Sequence, residues 1–145
     1  MASATPVLRQ ALGSLHIDTP GAGLHDVTAR LSGWVARQGM ADGLLTVFCR
    51  HTSASLLIQE NAAPAVQRDL IRYFAALAPE SDGYEHDDEG PDDMPAHLRT
   101  ALTQVQLSIP LAGSRLQLGT WQGVYLFEHR RRPHRRELAL HLLGA

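Results

Sequence analysis

The sequence predicts an α+β domain, with largely antiparallel sheets packed with about three helices. Three observations carry that expectation. Strand-like apolar runs stand at both ends of the chain, segments of helical period lie between them, and glycine- and arginine-rich turns separate a closing series of strands. At 145 residues the chain reads as one domain, 1–145. A globule of that size buries roughly two thirds of its unfolded surface, enough for a core.

The elements follow in order. "VLRQALGSLHID" alternates enough for a strand, with a bulge or bend expected at Gly13. "DVTARLSGWVARQG" reads as a helix whose Val27, Leu31, Trp34 and Val35 share a face and whose stop is Gly39. "GLLTVFCRH" is apolar on both faces until Arg50, which places it mid-sheet, and "SLLIQ" reads as a short partner strand. A helix then starts at Pro64, where a missing N–H is harmless, with Val66, Leu70, Phe74 and Leu77 as its packing face. Residues 79–93, "PESDGYEHDDEGPDD", form a long acidic loop of the kind that often carries function. Asp93 or Met94 caps the next helix, with Pro95 in its first turn and Leu98, Leu102 and Val105 as its core face. "LSIPLAG", "RLQLG", "GVYLFEH" and "RELALHLLG" complete the sheet.

Composition narrows the function. A formal charge of -2 argues against a general nucleic-acid binder. No stretch is apolar enough to span a bilayer, and "MASATPVLRQ" lacks a signal-peptide core. With Cys49 as the single cysteine, no intrachain disulfide forms, and a cytoplasmic setting is expected. Every cation is an arginine, a rigid fork suited to phosphate or carboxylate.

Of eight histidines, three occupy informative places. His51 leaves the central strand on the Cys49 side, His86 lies in the acidic loop, and His97 opens a helix. Imidazoles from three separate elements can converge on one metal and leave a coordination position open. Asp87, Asp88 and Glu89 could orient His86 or ligate magnesium. The spacing is equally compatible with a metal-free acid/base or anion site, or with unrelated structural histidines. "HTSAS" reads either as a strand end whose Thr52, Ser53 and Ser55 satisfy backbone groups, or as an anion cradle. The run "HRRRPHRR", 129–136, is either a solvated turn or a diphosphate grip, with Glu128 beside it.

"HTSASLLIQEN", "YEHDDEGPDDMPAH" and "LQLGTWQGVYLFEHR", in that order, resemble the YjbQ-type family, also called secondary thiamine-phosphate synthases. The resemblance covers nearly the whole chain after Gly43. It implies a compact α+β fold, a homotrimer, and a pocket near subunit boundaries. It also implies an activity joining a pyrimidine diphosphate to a thiazole phosphate, assisted by a divalent ion, zinc or magnesium. By position, the implied catalytic set is His51, His86, His97 and Glu128, with the three histidines as metal ligands. The implied substrate contacts are Thr52, Ser53, Asn61, Thr120, Gln122 and Arg135, with Arg136 the alternative to Arg135. Two other functions fit the same residues: a metal-dependent hydrolase of a phosphorylated metabolite, and a non-catalytic trimeric module binding an anion or nucleotide. Ala63 stands where the family often has aspartate, so the helix after it loses a cap usually worth about 1 kcal/mol.

Overall fold

The computed structural model describes residues 3–145. Eleven elements follow one another: β1 (Arg9–Thr19), β2 (Gly23–Asp26), α1 (Thr28–Gln38), β3 (Gly43–Cys49), β4 (Ala54–Glu60), α2 (Pro64–Leu77), α3 (Asp93–Leu102), β5 (Gln106–Ala112), β6 (Arg115–Leu116), β7 (Gln122–Glu128) and β8 (His134–Gly144). They form a single compact α+β domain with two antiparallel sheets. One has five strands in the order β1-β8-β3-β5-β6, the other three in the order β2-β7-β4. The short β2 has no counterpart among the expected elements. It pairs with β7 from Gly23↔Glu128 to Asp26↔Tyr125.

Period-2 alternation explains the core. Leu45, Val47 and Cys49 of β3 point inward with Leu107, Ile109 and Leu111 of β5 and Leu138, Leu140 and Leu142 of β8. Ala54, Leu56, Val124 and Leu126 of the smaller sheet join them, and α1 adds Leu31, Trp34 and Val35. β3 does lie mid-sheet, between β8 and β5, but only one of its faces is buried: Leu44 and Phe48 on the other face are 44% and 46% exposed. "SLLIQ" lies within β4, whose strand partner is β7 rather than β3.

Gly13 is not a bulge. The β1–β8 register runs unbroken through Gly13↔Leu140, and a Cβ at Gly13 would collide with the Trp34 indole. The glycine is needed for close approach of a helix side chain to the sheet. Gly39 ends α1 in the left-handed region, φ 68°.

Two helices pack differently from their apolar pattern. In α2 no residue is fully buried: Val66, Leu70 and Phe74 are half-buried, and Leu77 is exposed. α2 meets the small sheet through Phe74, edge-on to Phe127, and Gln67, which donates to the Tyr125 hydroxyl. α2 has no side-chain cap at Ala63; Glu60 Oε2 accepts the N–H groups of Ala62 and Ala63 and so holds the turn that leads into the helix. In α3 the buried residues are Asp93, Pro95 and Ala96, whereas Leu98 is half-buried and Leu102 is 53% exposed. α3 therefore turns its first-turn carboxylate inward, where an apolar face was expected.

Candidate functional site

α3 starts after a loop that turns at Gly90, φ 100°, a conformation that favours glycine. Asp92 is the N-cap residue and Asp93 the first helical one. Asp93 and His97 are four residues apart and so share a helix face. Asp93 Oδ2 accepts from His97 Nε2 at 3.1 Å and from His86 Nε2 at 2.8 Å. His97 is held by its other nitrogen as well. His97 Nδ1 donates to the Thr52 main-chain oxygen at 3.0 Å, and His86 Nδ1 lies 3.5 Å from Asp88 Oδ1. The second Asp93 oxygen, Oδ1, accepts from Arg130 Nη1 at 2.6 Å.

His86, Asp93 and His97 are grouped so that they could hold a metal ion. One ligand atom from each of His86, Asp93 and His97 falls within 4.8 Å of the other two. Both histidines turn Nε2 toward the Asp93 carboxylate, and the Thr52 main-chain oxygen beside Nδ1 orients the His97 ring. Two imidazoles and a carboxylate suit zinc and leave a position open. Burial alone would raise the Asp93 pKa. His86, His97 and Arg130 outweigh that and hold it below the usual aspartate range. Asp93 in turn raises the pKa of His86.

The three-histidine ligand set is not what comes together. His51 Nε2 accepts the Glu137 N–H at 2.8 Å, so that nitrogen faces β8 rather than the cluster. Asp93 stands in the third ligand place. Burial, then Arg136, lowers the His51 pKa, so the ring is neutral with its proton on Nδ1. His51 is still near the site. With Phe48, Cys49, Thr52, His97 and Thr100 it lines a cleft of about 820 Å³, and the His97 ring is common to cleft and cluster.

Glu128 is fully buried and has no free oxygen with which to act as a base. Oε1 accepts from Thr19 Oγ1 and from Arg136 Nε, each at 2.7 Å. Oε2 accepts from Arg136 Nη2 and from the Arg130 N–H. Burial opposes its ionisation, but Arg136, Thr19 and the Arg130 amide hold its pKa below the usual range. The arginine of this network is Arg136, not Arg135. Alternation along β8 buries Arg136 and leaves Arg135 exposed on the opposite side, beside Asp18 and Arg30.

The "HTSAS" hydroxyls are mostly spent inside the protein. Ser53 Oγ accepts from Arg136 Nη2, and Ser55, fully buried, links Thr103 Oγ1 to His129 Nε2. Thr52 alone of the three hydroxyl residues is exposed. Burial and the nearby Arg99 push the His129 pKa down to about 3, and its Nδ1 has no partner among the described residues. Cys49 is buried, its thiol donates to the Ala54 oxygen, and burial raises its pKa to about 11, which makes it a poor nucleophile.

Asn61, Thr120 and Gln122 sit at the other end of the small sheet. Asn61 Nδ2 donates to the Thr120 and Gln122 oxygens, and Gln122 Oε1 accepts the Gly119 N–H. The β4–β7 register runs from Ala54↔Glu128 to Glu60↔Gln122, so six strand steps, about 20 Å, separate this turn from Glu128. Within one chain these residues lock a turn.

Asp93 and Arg130 complete the cluster, and sequence reasoning gave neither of them that part. The Asp93–His97 spacing of four on a predicted helix was the available signal. The sequence offers Arg136 beside Arg135, and the alternation of Leu138, Leu140 and Leu142 is the signal that selects it.

The sequence matches the family model described as UPF0047 protein YjbQ-like over residues 13–145. UPF0047 protein sll1880 of Synechocystis sp. is 52% identical, over 99% of each chain. Among solved structures, a YbjQ-like protein from Sulfolobus solfataricus superposes with a TM-score of 0.88 at 20% identity, over 96% of this chain and 100% of that one. The conserved hypothetical protein TT1486 from Thermus thermophilus superposes with a TM-score of 0.79 at 34% identity, over 88% and 97%. With a family model spanning its two sheets, its helices and the His86–Asp93–His97 cluster, the chain belongs to the YjbQ-like UPF0047 family.

Proposed function

We propose that the chain is a metal-assisted enzyme acting on a small phosphorylated heterocycle, with thiamine-phosphate synthase-type joining as its reaction. The observation that carries this is a single side chain, His97, which belongs both to the metal-competent cluster and to the wall of the cleft. A divalent ion held by His86, Asp93 and His97 would polarise phosphate oxygens at the cleft mouth. The chain's own groups do the rest. Phe48 and Val105 give the cleft an apolar wall, and neutral His51 offers its Nδ1–H to a substrate acceptor. Thr52 presents its hydroxyl at the cleft while its carbonyl orients His97.

The test is a two-substrate assay: pyrimidine diphosphate plus thiazole phosphate, with zinc or magnesium, scored for thiamine phosphate. Product that disappears on chelation and in Asp93→Asn supports the reading, and absence of product sinks it. Hydrolysis is the second reading, favoured by one observation. Arg130 and Arg136 are bound to carboxylates, and Arg131 pairs with Glu80, which leaves none of these three free to take a departing diphosphate. Release of phosphate from one substrate alone distinguishes it.

We also propose that the working form is a homotrimer. The outer face of the five-stranded sheet carries exposed Leu12, Leu44, Phe48 and Leu143, and α2 exposes Ile71, Tyr73 and Leu77. Exposed apolar side chains grouped in this way are what a contact between copies would cover.

A further inference from the structure

We infer that Arg130 is a positioning residue for the metal centre: its guanidinium holds Asp93 as a one-oxygen ligand and offsets part of its charge. This rests on the metal reading above.

Arg130 is tied at four points. Nη1 donates to Asp93 Oδ1 at 2.6 Å, Nε to Asp92 Oδ2 at 3.1 Å and Nη2 to the Glu89 oxygen at 2.9 Å, while its main-chain N–H donates to Glu128 Oε2 at 3.2 Å. The anchors span the acidic loop, the cap and first residue of α3, and the end of β7. The guanidinium is thereby fixed against the carboxylate, and both side chains are largely shielded, with relative exposures of 16% and 3%.

Two consequences follow. First, with Oδ1 occupied by a cation, only Oδ2 faces His86 and His97, so Asp93 cannot chelate an ion through both oxygens. Second, Arg130 offsets part of the Asp93 charge while being shared with Asp92, so an ion held by two imidazoles and Asp93 would lose less of its charge to the site than it would to a bare carboxylate. Lysine could supply the charge, but its ammonium lacks the planar fork that reaches three acceptors at once.

The alternative is that Arg130 merely docks the start of α3 onto β7. Measurements on metal-free wild type, R130K and R130Q separate the two. Zinc affinity is read by competition with a chromophoric chelator, coordination by the visible spectrum of the cobalt(II) form, and docking by the melting temperature without metal. The expected result is a loss of zinc affinity of about 10- to 100-fold in R130Q. Its cobalt bands should weaken as Asp93 gains a second bound oxygen, with R130K intermediate in both. Wild-type affinity and bands in R130Q overturn the inference, whatever happens to its melting temperature. Should R130Q not fold, R130K decides alone: unchanged affinity and bands overturn the inference. A wild-type chain that takes up neither zinc nor cobalt removes the metal reading itself. That failure is visible before any variant is made.

Discussion

His97 Nδ1 donates to the main-chain oxygen of Thr52 at 3.0 Å, joining the first turns of α3 to the loop that follows β3. That loop is gripped from the other side. Arg136 Nη2 donates to both Ser53 oxygens, and the Glu137 N–H donates to His51 Nε2. The candidate centre is thus assembled by long-range contacts from β3, α3, β7 and β8, each set by a backbone or a buried charge.

Asp93→Asn keeps the shape and removes the charge. It leaves Arg130 with Asp92 as its remaining carboxylate partner, so the loss is that of a charge-assisted hydrogen bond, about 1.5–3 kcal/mol. The urea midpoint should fall accordingly. An unchanged midpoint would show that Asp93 carries no structural charge pairing.

The Glu128–Arg136 pair should behave as a unit. Glu128→Leu or Arg136→Met alone strands a buried charge and destabilises strongly. The double variant should be less destabilised than the sum of the two. Additive losses in a double-mutant cycle would refute a coupled pair.

The pH dependence has a definite sign. The folded-state pKa of His129 is depressed to about 3, so between pH 6.5 and about 3 the unfolded chain binds a proton that the folded chain refuses. Stability therefore falls as pH drops through that window, by up to about 1.4 kcal/mol per pH unit from this one group. Asp93 and Glu128, also depressed, add stability above their unfolded pKa values that is lost as pH falls through the folded ones. His86 works the opposite way: its raised pKa gives a contribution present at low pH and lost as pH rises, small because the ring is exposed. His129→Phe should flatten the slope of urea midpoint against pH between 7 and 5, and an equal slope in the variant would contradict the assignment.

Phe48→Glu places a charge on the outer face of the five-stranded sheet, where Phe48 is 46% exposed. Folding should survive and light scattering should report a mass falling from three copies toward one. A wild-type mass of one copy, or an unaltered mass in the variant, would remove that face from the assembly.

The sequence revealed most of the framework because strand alternation and helix period are local signals. The bounds of β3, α1 and α2 follow from Gly43, Gly39 and Pro64. What it hid is non-local. The β4 pairing with β7 depends on residues 62 positions or more downstream, and the half-exposed face of α2 shows that an apolar stripe does not say what covers it. At the site, His86 and His97 were legible as histidines in separate elements. The turning of His51 toward the Glu137 amide depends on how β8 lies beside the end of β3, and the seating of Asp93 depends on the acidic loop and Arg130 folding onto α3. Alternation along β8, a local signal, decides Arg136 over Arg135.

The most direct measurement is metal stoichiometry. Metal-free protein titrated with zinc should take up one ion per chain in the wild type and in His51→Ala, and none tightly in His86→Ala, Asp93→Asn or His97→Ala. Retention in Asp93→Asn, or loss in His51→Ala, would contradict the centre described.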